Sequence, residues 1–116
     1  MRVHHVALRV LDLERSTRFY GELLGLEETS RRERDGRLHS VWLSAGDVVL
    51  MLERELRGAG AKSGSAHLLA FEVEDLDSWV SRLAAAGVSI DDRTELTLYV
   101  RDPDGHRVGL SVYRGS

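Results

Sequence analysis

One stretch of this chain is written twice, and that constrains the fold more than any local propensity. Asp12-Leu13-Glu14 recurs as Asp75-Leu76-Asp77. At the same offset Val10 is matched by Val73, Leu8 by Phe71, Arg9 by Glu72 and Tyr20 by Leu83. With one residue dropped, Gly25 is matched by Gly87. Two copies of one pattern must build two copies of one supersecondary unit. A solenoid needs about three or more copies, so a paired-module domain is the better reading.

The first copy reads as a strand feeding an amphipathic helix. In His5-Val6-Ala7-Leu8-Arg9-Val10, the residues Val6, Leu8 and Val10 share one face, and His5, Ala7 and Arg9 share the other. Asp12 stands where a helix N-cap belongs; Leu13, Tyr20 and Leu24 follow at helical spacing, and Gly25 ends the helix. The apolar strand face should meet the helix. His5, Ala7 and Arg9 then face something else, which frames the functional question.

Beyond this helix, Leu26 to Arg34 reads as a polar edge strand, with Asp35-Gly36 as a hairpin turn. Strands follow over Arg37 to Ser44 and Val48 to Glu53, giving βαβββ. Arg54 to Ala66 is polar and rich in Gly and Ser, a linker composition. The second module repeats the order: a strand over Leu68–Val73, a helix over Asp75–Ala86 with Trp79 on its core stripe, and a short strand near Val88–Asp91. Strands over Thr94–Arg101 and His106–Tyr113 complete it around the Asp102-Pro103-Asp104-Gly105 turn. The fold class is therefore α+β: two βαβββ modules, 1–53 and 67–116 joined by 54–66, in one domain. Their mixed, mainly antiparallel sheets should curve in a U around a shared groove with the helices outside. A length of 116 residues fits one domain, against a usual size of roughly 100–200 residues.

The absence of cysteine excludes disulfides, thiolate nucleophiles and zinc–thiolate sites, and suits the cytoplasm. No apolar run approaches membrane length, and nothing at the start of this sequence reads as a signal peptide. A net charge of −3 argues against non-specific binding to nucleic acid. The basic run Arg31-Arg32-Glu33-Arg34 reads as a charge-protected edge strand, with an anion-attracting rim as the sharper alternative. The glycines between 58 and 64 lack the Gly-Lys-Ser/Thr ending of a phosphate loop.

HVALRVLDLERSTRFYGELLGL at the front and DPDGHRVGLSVY at the end, with the paired modules between, resemble the vicinal oxygen chelate superfamily over essentially the whole chain. That superfamily includes glyoxalase I, bleomycin resistance proteins, fosfomycin-modifying enzymes and extradiol dioxygenases. The resemblance implies a cavity where enzymes of the group commonly hold a divalent metal through inward-facing His and Glu. Of the four matching positions, His5 fills the first with a good ligand. Met51 stands where Glu is expected, Leu68 where a second His is expected, and Gly109 where a final Glu is expected. His67 is one residue out of register, which turns a strand side chain to the opposite face. One good ligand in four does not make a site for a hard cation, which wants about three protein ligands of carboxylate or imidazole type.

The resemblance and the residues together favour metal-independent binding or sequestration of a small molecule, in a homodimer like the bleomycin resistance proteins. The candidate ligand-binding residues are His5, Arg9, Trp42, Met51, Glu72, Tyr99 and Gly109. Arg9 and Glu72 occupy equivalent positions; they read either as polar anchors or as an internal ion pair. Trp42 and Tyr99 are also equivalent, and two such rings suit an aromatic ligand. The rival is an enzyme: a metal-dependent lyase or dioxygenase using His5 and His67, or a metal-free isomerase or hydrolase using His5 or Glu72. A third class is an accessory protein with a filled groove.

Overall fold

The structure is a computed structural model that describes residues 1–56 and 67–114. The greater part of the expected linker, residues 57–66, lies outside the described residues. The chain divides into two compact units, Met1–Ala61 and Lys62–Ser116.

In the first unit, strand β1 (His5–Arg9) leads to helix α1 (Leu13–Thr17), which runs on into a π-helical segment, Arg18–Leu23. Strands β2 (Glu27–Arg34), β3 (Arg37–Ala45) and β4 (Val48–Glu53) follow. The sheet order is β1-β4-β3-β2, with β1 parallel to β4 and the other pairs antiparallel. The second unit repeats the plan with β5 (Leu69–Glu72), α2 (Leu76–Ala85), β6 (Asp92–Arg93), β7 (Thr97–Arg101) and β8 (Arg107–Ser111), in the order β5-β8-β7-β6. The sequence repeat is thus a repeat of topology: two mixed four-stranded sheets with one helical element each, an α+β fold.

The alternation of apolar residues dictates which sheet face is buried. In the first unit Val41, Leu43, Leu50 and Leu52 share a face and are fully buried. Val10, Leu13, Phe19 and Tyr20 supply the helix side of this core, and α1 packs on β3 and β4. In the second unit Leu98, Val100, Val108 and Leu110 take the same role, with Val73, Leu76 and Leu83 buried alongside. Trp79 departs from expectation: it is half-exposed rather than core. Leu76 and Leu83 hold the centre of the buried stripe, and Trp79 sits on its flank, its ring 4.7 Å from the Arg82 guanidinium.

Local chemistry sets the element ends. Asp12 Oδ1 accepts the Arg15 N–H at 3.0 Å, and Asp75 Oδ1 accepts the Ser78 N–H at 2.7 Å, so each helix has its expected cap. Helix α2 closes in a Schellman arrangement, with the Gly87 N–H on Ala84 O and the Val88 N–H on Leu83 O. That ending needs a left-handed residue, supplied by Gly87 at φ 72°. The first helix differs from an uninterrupted α-helix: the Leu24 N–H reaches back five residues to Phe19 O. Asp35 and Gly36 both have positive φ, 54° and 75°, the pairing a two-residue hairpin turn requires. The short strand expected at Val88–Asp91 lies slightly later, at Asp92–Arg93. Its pairing with Tyr99 and Leu98 fixes it there.

Candidate functional site

The face of each sheet away from its buried apolar residues carries the candidates. In the first unit Ala7, between His5 and Arg9, is in register with Met51, and Met51 is in register with Trp42. His5 pairs with Val49 and Arg9 with Glu53. Residues in register share a face, so His5, Arg9, Met51 and Trp42 are brought to one face. In the second unit Ala70 pairs with Gly109 and Gly109 with Tyr99, while Glu72 pairs with Ser111. Glu72, Tyr99 and Gly109 therefore share the corresponding face. The rows Ala7–Met51–Trp42 and Ala70–Gly109–Tyr99 are the same row of the repeat, seen once in each unit.

Each aromatic carries a partner that pattern reading missed. The Arg32 guanidinium lies 4.2 Å from the centre of the Trp42 ring, and the Arg107 guanidinium 4.2 Å from that of Tyr99. Both are cation–π contacts. The signal was available in the sheet register. Arg32 pairs with Ser40, one step diagonal to Trp42, and Arg107 precedes Gly109 by one same-face step. One face of each ring is thus already stacked by arginine. Trp42 Nε1 and Arg107 Nε are both buried donors without a hydrogen-bond partner. A buried donor left unpaired costs roughly 1–3 kcal/mol, so each of these stacks is short of an acceptor.

The polar candidates are more exposed. His5 lies at the exposed start of β1, and its Nδ1 is 2.8 Å from that of His4, one ring nitrogen donating and the other accepting. Arg9 is exposed and Met51 half-buried. Glu72 finds its ion-pair partner inside its own unit: Arg114 donates to Glu72 Oε2 at 2.8 Å and to Val73 O at 3.2 Å. With Glu74 and Trp79 these residues border a cleft of about 480 Å³. His39 lies half-buried with Nε2 3.9 Å from Glu53 Oε2. Two carboxylates at helix starts are held below their usual pKa: Glu14 through its hydrogen bond from Arg31, and Asp75 through the Ser78 N–H.

A divalent metal fits this donor set poorly. Among the described residues no three His, Asp or Glu side chains converge in a way that could hold an ion. Met51 offers a thioether, a poor ligand for a hard cation. At Gly109 an added Cβ would lie 3.4 Å from both Ala70 Cβ and Thr97 Cγ2 and 3.5 Å from Leu68 Cδ1. These are ordinary van der Waals distances, so what the position lacks is the carboxylate itself, and Leu68, not His67, contributes its side chain beside it. His67 is exposed ahead of β5.

Residues 2–110 match the sequence profile of the Glyoxalase/Bleomycin resistance protein/Dioxygenase superfamily. The chain is 33% identical to the glutathione transferase FosA of Serratia marcescens, over 95% of this chain and 79% of that protein. It is 29% identical to a lactoylglutathione lyase of Neisseria meningitidis, over 93% and 88% of the two chains. The trypanothione-dependent glyoxalase I of Leishmania major superposes with a TM-score of 0.75 at 26% identity, covering 96% of this chain and 86% of that one.

Proposed function

The chain belongs to the Glyoxalase/Bleomycin resistance protein/Dioxygenase superfamily, and from that premise we propose that it binds a small molecule without using a metal. The observation that carries the reading is the donor set: among the described residues no three His, Asp or Glu side chains converge, and Gly109 stands where the family pattern expects a carboxylate. Met51 and Leu68 weaken the donor set further. In the first unit His5 and Arg9 act as polar anchors on the face that carries Trp42, and in the second Glu72 does so on the face that carries Tyr99, each ring stacked on one side by an arginine. The unpaired Trp42 Nε1 of the first unit calls for a ligand with an oxygen acceptor. The protein acts as a cytoplasmic homodimer on this reading, which sedimentation of the purified protein checks.

The test is a ligand panel read by Trp42 fluorescence in a Trp79→Phe background, since the chain has only these two tryptophans. Saturable quenching by one class of aromatic or oxygen-rich compound, weakened in Arg9→Ala, is the expected result. No response across a broad panel, with the protein folded, would favour an accessory protein with a filled groove.

The rival reading is a lyase or transferase, and it draws support from two relatives named for glutathione chemistry. Turnover of a glutathione adduct that is abolished by His5→Ala would select it over simple binding.

A further inference from the structure

The basic run Arg31-Arg32-Glu33-Arg34 is divided by the fold into different employments. Arg31 donates to Glu14 at 2.6 Å and to Glu28 at 2.7 Å, which raises its already high pKa further. Arg32 stacks on Trp42. Arg34 does neither. It lies at the tip of the β2–β3 hairpin in register with Arg37. Like charges directly opposite each other across an antiparallel pair are destabilising. A third arginine joins them: Arg54 follows β4, and its backbone N–H bonds His39 O at 3.1 Å.

Arg34, Arg37 and Arg54 line one cleft of about 270 Å³ with Leu38 and half-buried His39. Arg37, Leu38 and Arg54 also border an adjoining cleft of about 430 Å³ that reaches Asp12, Leu13 and Glu14. Among the described residues, no carboxylate forms an ion pair with any of the three guanidinium groups. The nearby acids have other employment or none. Glu14 is held by Arg31, Asp12 caps α1, and Glu53 faces His39. Asp35 and Glu55 also line the smaller cleft, without pairing to its arginines. Among the described residues, three guanidinium groups and two carboxylates thus line the cleft, with no ion pair between them.

We propose that this cleft is a binding site for a small phosphate-bearing anion. A guanidinium fork matches phosphate oxygens two at a time and is more weakly hydrated than an ammonium group. A dianion between Arg34 and Arg37 turns a cross-strand repulsion into a shared attraction. The small volume and the net charge of −3 suit a phosphomonoester or pyrophosphate and not a polynucleotide. The cleft shares no residue with the ligand face of His5, Arg9, Met51 and Trp42, so the inference stands apart from the proposed function.

The experiment is a titration of the full chain with inorganic pyrophosphate, inorganic phosphate and succinate at low ionic strength, followed through backbone amide resonances. Pyrophosphate should give saturable shifts confined to residues 34–39 and 53–55. Succinate should bind about tenfold more weakly, as should pyrophosphate to the Arg37→Gln/Arg54→Gln variant, because each loses bidentate contacts. The amide spectrum away from the cleft reports whether that variant is folded, and Arg34→Gln alone gives the same direction with a smaller perturbation. Shifts that fail to saturate by about 10 mM pyrophosphate, a range where binding is too weak for a built site, would overturn the proposal. So would equal affinity for succinate, or equal affinity in the arginine variants.

Discussion

At the scale of single residues, the candidate face is defined by what its side chains can and cannot donate. Gly109 is the clearest case. Gly109→Glu would restore the carboxylate that the family pattern expects, and its Cβ would make ordinary van der Waals contact with Ala70 and Thr97 at 3.4 Å. Gly109 is itself buried, however, and a carboxylate desolvated there without a paired cation is costly. Urea unfolding should therefore show a less stable protein, and Met51 and Leu68 leave the variant still without a third ligand. Glu14 is a contrasting case, a carboxylate whose role is structural. Arg31 favours its charged form, so the folded protein holds Glu14 ionised where the unfolded chain takes up a proton. The stabilisation is complete above the ordinary carboxylate range and fades as pH falls through the lowered value. Both partners are well exposed, 40% and 56%, so solvent screens the pair. Glu14→Gln should cost less than about 1 kcal/mol, with the loss shrinking in high salt, as thermal unfolding at two salt concentrations would show.

At the scale of elements, what was legible in the sequence was periodicity and turn chemistry. The β4 limits, Val48–Glu53, match the alternation outright, and both Asp N-caps and the Asp35-Gly36 hairpin form as their residue types dictate. Less legible were features that depend on neighbours distant in sequence. The π-helical segment at Arg18–Leu23 keeps the same apolar spacing as an α-helix over so short a run, so no local signal marks it. Trp79 has a core-facing spacing, yet the middle of the stripe is already filled by Leu76 and Leu83. The turn after β7 was readable as a turn, but not as a buried hydrogen-bond hub. Asp102 is 4% exposed, and its Oδ1 accepts the N–H groups of Asp104 at 2.9 Å and His106 at 2.8 Å. Asp102→Ala strands both donors, and chemical unfolding should report a loss of about 2 kcal/mol. A shift below half that size would mean that water replaces the carboxylate in the turn.

At the scale of the whole molecule, the repeat was legible because it is written in the order of apolar, capping and glycine residues, and those choose topology. Two sheets of identical strand order follow from it. The candidate face was legible only as parity: the sequence could say which residues share a face, because the period of a strand is two. It could not supply Arg32 and Arg107, whose stacking depends on diagonal neighbours across paired strands. Nor could it show Arg114 as the partner of Glu72, since that contact spans 42 residues. Among the described residues no helix is long and apolar enough to cross a membrane. This member of the superfamily is proposed to work without a metal. Elemental analysis of the untagged protein tests it most directly, as purified and after incubation with nickel, zinc, manganese and anaerobic ferrous iron. No stoichiometric metal is expected in any of these conditions. One tightly held ion per chain, lost in His5→Ala, would contradict it.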